Sequence, residues 1–296
     1  MSKRMMGSCM LLLGAMIWGA AFVAQSVGMD YVEPFTFQAC RSLLGSLVLI
    51  PVILFMDNRG NAKKPVTRAQ KLHLLRSGVI CGLFLFTATS LQQIGLLYTT
   101  AGKSGFITSL YIILVPLLGL FLKKRVGPWV WCSVVLALIG LYLLCGGEDL
   151  SIGSGELLTL GCAVAFSFHI IFIDRVSAGL DGVRLSCIQF FVVGALSCVF
   201  MFLLETPNVN AILQCWLPIA YAGILSSGVA YTFQIIGQAH TEPAVASLLM
   251  SLESVFAMIF GWIILKEAMS ATELLGCALV FFGVLLAQLP ERKPAA

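Results

Sequence analysis

From Gly7 to Leu289 the chain is written as ten apolar runs: 7–27, 34–56, 77–98, 102–122, 128–145, 155–173, 183–204, 217–237, 243–265 and 271–289. Each is close to the ~20 residues a helix needs to cross a ~30 Å hydrocarbon core. No water reaches the backbone at that depth, so a spanning segment must be a helix or part of a closed barrel. The runs are too long for barrel strands, which need only ~9–11 residues. The fold class that follows is an all-α integral membrane protein with ten transmembrane helices. Composition agrees, since 59% of residues are hydrophobic and 11% charged, against ~25% charged in a soluble domain.

Internal repetition is the second constraint. A shift of 141 positions places Gln93-Ile94 on Gln234-Ile235, Gly82 on Gly223, and the Thr99-Thr100 turn on His240-Thr241. The halves, residues 1–147 and 153–290, each hold five spans, an odd number. The second must therefore cross in the opposite sense, giving two inverted five-helix repeats. The polar stretch between them is too short for a domain linker, so both halves are expected to form one unit.

Basic residues set the orientation. With a cytoplasmic N-terminus, every Lys and Arg except Arg41, Lys103 and Lys266 falls on the inner side, while Asp30, Glu33, Glu148, Asp149, Glu156 and Glu205 fall outside. The expectation is a multi-pass protein of the bacterial cytoplasmic membrane with both termini cytoplasmic. The first span, preceded by Lys3 and Arg4 and lacking a small-residue cleavage site, reads as a retained anchor.

Several chemistries find no support. A net charge of +4 is too small and too scattered for nucleic acid. The ten cysteines form no Cys-x-x-Cys or Cys/His cluster, so neither metal nor cofactor is expected. Gly102-Lys103-Ser104 lacks the upstream glycine of a phosphate-binding loop, which argues against direct use of ATP.

Ionisable groups inside spans are costly, roughly 2.5–3.5 kcal/mol at a helix centre on insertion scales, and usually face a cavity or a partner. Arg41, seven residues into span 2, either snorkels or pairs with Glu253, or meets substrate; Gln38 shares its face. Lys103, between Gly102 and Gly105 near the outer end of span 4, either snorkels or meets substrate. Glu253 is the deepest carboxylate, ten residues beyond Pro243, and is either a structural partner of Arg41 or a substrate and coupling site. His169, flanked by Phe166, Phe168 and Phe172, is a packed core histidine or a proton relay. Gln93 and Gln234 are expected at a cavity, and Trp18 and Tyr111 along an apolar path. Ser247, Ser251 and Ser254 serve as glue between helices.

Four motifs carry a resemblance: Trp18-Gly19-Ala20-Ala21-Phe22, Pro34 seven residues before Arg41, Ala101-Gly102-Lys103, and Leu252-Glu253 followed by Lys266-Glu267. Together with the spans and the duplication, the chain resembles the EamA-type branch of the drug/metabolite transporter superfamily. The resemblance implies a ten-helix inverted-repeat fold that exports or exchanges small metabolites, amino acids or drugs by alternating access. Expected partners are a small-molecule substrate and the lipid bilayer, with a homodimer left open. A lipid flippase or scramblase on the same fold is the alternative. An intramembrane enzyme would need a paired acid/base or metal constellation that the spans lack.

Overall fold

The structure, a computed structural model, describes residues 2–61, 63–99, 101–123, 126–144, 153–265 and 270–289, without the side chains of Ala101, Gly102, Lys103 and Leu265. Among the described residues it is all helix and turn. Its α-helices are α1 (Lys3–Met29), α2 (Pro34–Asn58), α3 (Arg68–Gly95), α4 (Ala101–Ser109), α5 (Tyr111–Phe121), α6 (Pro128–Leu144) and α7 (Ser154–Val176). They continue with α8 (Gly182–Leu204), α9 (Val209–Gln214), α10 (Trp216–Ala220), α11 (Tyr231–Gln238), α12 (Pro243–Met250), α13 (Leu252–Phe260) and α14 (Ala271–Ala287). Eight helices, counting kinked ones as continuous, are long and apolar enough to cross a bilayer. The fifth and tenth sequence spans correspond to the shorter α6 and α14, 17 residues each, near the lower limit for crossing.

Helix ends carry polar caps where the chain leaves the apolar layer. Ser2 caps α1, Asp181 caps α8, and Thr67 with Gln70 and Ser270 with Glu273 form capping boxes on α3 and α14. Pro34 starts α2, where its missing N–H costs nothing.

Packing is by close approach of small residues, as expected where lipid offers no hydrophobic drive between helices. A Cβ on Gly140 of α6 would lie 2.7 Å from the Gly276 carbonyl oxygen of α14, and one on Gly276 would lie 2.6 Å from that of Gly140. Helix α2 lies along α8, α3 along α7 and α8, and α1 along α11 and α13. The α2–α8 pair is tied at both ends. At one, Arg184 of α8 pairs with Asp57 of α2, which also meets Lys64 at 3.0 Å. At the other, the Glu205 carboxylate accepts the Phe35 and Thr36 N–H groups at 2.6 and 2.7 Å, closing the start of α2. This pair forms the fixed spine beside which the site is built.

Candidate central cavity

Spans 4 and 9 are not continuous helices. The α4–α5 junction tightens at Leu110, whose N–H bonds Ile107 O and whose carbonyl accepts from Ile113, both three residues apart. The α12–α13 junction tightens likewise at Ser251, whose carbonyl accepts from Ser254. Span 8 also departs from α geometry, running as a π-helical stretch over Tyr221–Ala230, a form that recurs at functional sites. These irregularities surround one cavity.

The cavity is narrow, with room of about 40 Å³, well below the roughly 300–1,000 Å³ of sites that hold a drug-sized ligand. Both junctions feed it: Tyr111 opens α5 and Glu253 lies in the first turn of α13. The Tyr111 hydroxyl donates to Glu253 Oε1 at 3.1 Å, and Ser109 and Ser254 share a hydrogen bond at 3.0 Å beside it. Thus the two kinked helices meet through polar groups at the point where each is kinked.

Arg41 enters from α2. It is buried, donates through Nη1 to Gln25 Oε1 at 3.0 Å, lies 5.9 Å from the Phe37 ring centre, and leaves its Nε–H without a partner. Although Arg41 and Glu253 line the same cavity, they form no ion pair with each other or with any other of the described residues. Each is held by a neutral neighbour. Gln92, Thr89 and Gln234 add amide and hydroxyl groups to the wall, and Trp18, Phe22, Phe166 and Tyr231 supply aromatic surface. Trp18 and Tyr231 pack edge to face at 4.7 Å.

Of the residues singled out in the sequence, Arg41, Glu253, Gln234, Trp18 and Tyr111 line the cavity. Three do not reach it. Gln38 turns away to donate to Ser90 at 3.0 Å, and Gln93 donates to Met29 Sδ at 3.0 Å. His169 is fully buried, bonded to Gln189 at 3.1 Å, with its ring 6.3 Å from that of Tyr231 and so one layer behind the wall. The Lys103 side chain lies outside the described residues, as do Lys266 and Glu267. Ser247 and Ser251 bond carbonyls of their own helix, Ala244 and Leu248, rather than another helix. Gln25 escaped the sequence reading, although Trp18, Phe22 and Gln25 follow the i, i+4, i+7 stripe of one helix face.

A family model described as the EamA-like transporter family matches residues 5–146 and again residues 153–289. The chain belongs to the EamA-like transporter family. A relative from Archaeoglobus fulgidus, named an uncharacterized transporter, is 30% identical over 97% of this chain and 87% of its own. YoaV of Bacillus subtilis, also named an uncharacterized transporter, is 25% identical over 97% of both chains. YedA of Escherichia coli, named an uncharacterized inner membrane transporter, is 22% identical over 92% of this chain and 87% of its own. A crystal structure superposes with a TM-score of 0.78 at 21% identity, covering 95% of this chain and 96% of that one, and so shares the EamA-like fold. The kinked helices and the charged cavity are therefore features of a membrane transporter.

Proposed function

We propose that this EamA-like chain is a secondary transporter of the bacterial cytoplasmic membrane, exporting or exchanging small zwitterionic metabolites such as amino acids by alternating access. The observation that carries this reading is the pair of opposite charges, Arg41 and Glu253, lining one cavity without neutralising each other. A buried charge is expensive without a counter-ion, and a zwitterion supplies both: its carboxylate meets the guanidinium, its ammonium meets Glu253, and its apolar part lies against Trp18, Phe22 and Tyr231.

The architecture in this reading is two inverted five-helix halves, 1–147 and 153–290, with both termini cytoplasmic. The twofold match of the family model supports it. So do the kinks at Leu110 and Ser251, which are separated by the repeat offset of 141. The packing repeats as well: Gly95 of α3 approaches Gly155 of α7 as Gly237 of α11 approaches Gly7 of α1. Paired discontinuous helices at the repeat interface are where transporters place their substrate.

Coupling falls to Glu253, where a proton and a substrate ammonium compete for one carboxylate. Glu253→Gln fixes the protonated charge state while keeping an acceptor for Tyr111. Proteoliposomes carrying this variant should transport without responding to a pH gradient, and the purified protein should melt within a few degrees of the parent. A stable variant whose transport still follows the gradient removes Glu253 from coupling; a strongly destabilised one assigns it a structural role instead.

A further inference from the structure

A lateral groove of about 370 Å³ lies between α1, the α12–α13 junction and α14, at the end of the bundle where α1 begins. Its chemistry is divided. At the mouth are Arg4, Ser2, Ser8 and Gln288; below them the walls are apolar, including Leu12, Phe281 and Leu285. Those three side chains are 36%, 49% and 49% exposed, so the groove opens sideways, toward acyl chains rather than into the central cavity.

The polar mouth is short of acceptors. Ser8 donates its hydroxyl to Gln288 Oε1 at 3.3 Å, which turns the amide nitrogen the other way and leaves Nε2 buried without a partner. Among the described residues Arg4 forms no ion pair. One guanidinium, two hydroxyls and the Gln288 amide line the mouth above an apolar slot, an arrangement suited to a phosphate with a hydrocarbon tail beneath it. Basic pockets between membrane helices at the headgroup level hold anionic lipids for the same reason.

The floor of the groove is the back of the wall that lines the central cavity. Leu249 and Leu252 line the groove, whereas Met250 and Glu253 line the cavity. The four alternate across the kink at Ser251, so the back of that junction faces the groove and its front faces the site. We infer that the groove binds one anionic phospholipid, its phosphate at Arg4 and an acyl chain against Leu249 and Leu252, where occupancy bears on the helix that carries Glu253.

The test is a thermal-shift titration of the purified full-length protein in detergent, comparing phosphatidylglycerol with phosphatidylcholine of identical acyl chains. The expected result is a saturable rise in melting temperature with phosphatidylglycerol and none with phosphatidylcholine. Arg4→Gln should weaken the phosphatidylglycerol response about fivefold, the equivalent of ~1 kcal/mol for one basic residue at the headgroup level. Lys71→Gln, exposed at the same end but outside the groove, should leave it unchanged. Leu12→Trp, which fills the slot, should abolish it while preserving the parent melting temperature in detergent alone. Equal responses to the two lipids, equal loss in Arg4→Gln and Lys71→Gln, or the same shift from soluble glycerophosphate would each overturn the lipid site.

Discussion

Arg41 exchanges a full hydration shell for one amide oxygen and the face of a phenylalanine. A hydrogen bond to a charged group contributes ~1.5–3 kcal/mol, so an incoming carboxylate finds a guanidinium with unused capacity. Arg41→Gln should weaken binding of a zwitterionic amino acid by about tenfold or more, measured by calorimetry. It should scarcely affect the methyl ester of the same amino acid, which carries no carboxylate. Equal weakening of acid and ester would remove Arg41 from substrate recognition. Charge inside an apolar run made Arg41 and Glu253 legible in the sequence, because such groups persist only with a reason. The amides were less legible: Gln38 lies three residues from Arg41 yet bonds Ser90 across to α3. Helix α2 is apolar on most sides, with no sequence stripe to say which of its polar residues faces inward; packing against α8 decides that.

At the scale of the element, the runs could be read directly, but the kinks could not. Pro116 sits inside α5 while the tightened turn falls at Leu110, and Ser251 follows no proline. Neither position holds a residue that stops a helix. The kinks accompany contacts between distant segments, Tyr111 with Glu253 and Ser109 with Ser254, which local propensity cannot encode. A double-mutant cycle with Ser109→Ala and Ser254→Ala should return a coupling of ~0.5–1.5 kcal/mol, the usual contribution of one hydrogen bond; additive effects would mean that the contact does not hold the junctions together. Close packing gives a stronger effect. Gly140→Ala places a methyl against the Gly276 carbonyl oxygen, so it should cost about 1–3 kcal/mol by overpacking and lower the melting temperature. Gly105→Ala, whose new methyl would find its nearest neighbour at 3.9 Å, should be neutral.

Across the whole molecule, the central cavity has a neighbour that no run or motif in the sequence announces. A vestibule of about 600 Å³ opens toward the end where α1 begins. Three helices line both spaces in register. Ile170 of α7 faces the cavity and Asp174 the vestibule; Tyr111 of α5 faces the cavity and Val115 the vestibule; Gln234 of α11 faces the cavity and Gln238 the vestibule. In each case the step is four residues, about one helical turn or ~5.4 Å. The Gln238 side chain donates to Ile170 O at 3.3 Å across that boundary, so the wall between the spaces is thin. In the alternating-access reading proposed above, this wall would give way while the opposite end closes. Ala178 lines the vestibule, beyond the wall, whereas Asp30 follows α1 at the other end. In a cysteine-free background, Ala178→Cys should react with a membrane-impermeant thiol reagent in inside-out vesicles and be protected in right-side-out ones, and Asp30→Cys should show the reverse. If Ala178→Cys reacts only from outside, the proposed orientation is inverted, and the vestibule becomes the outer mouth of the transporter.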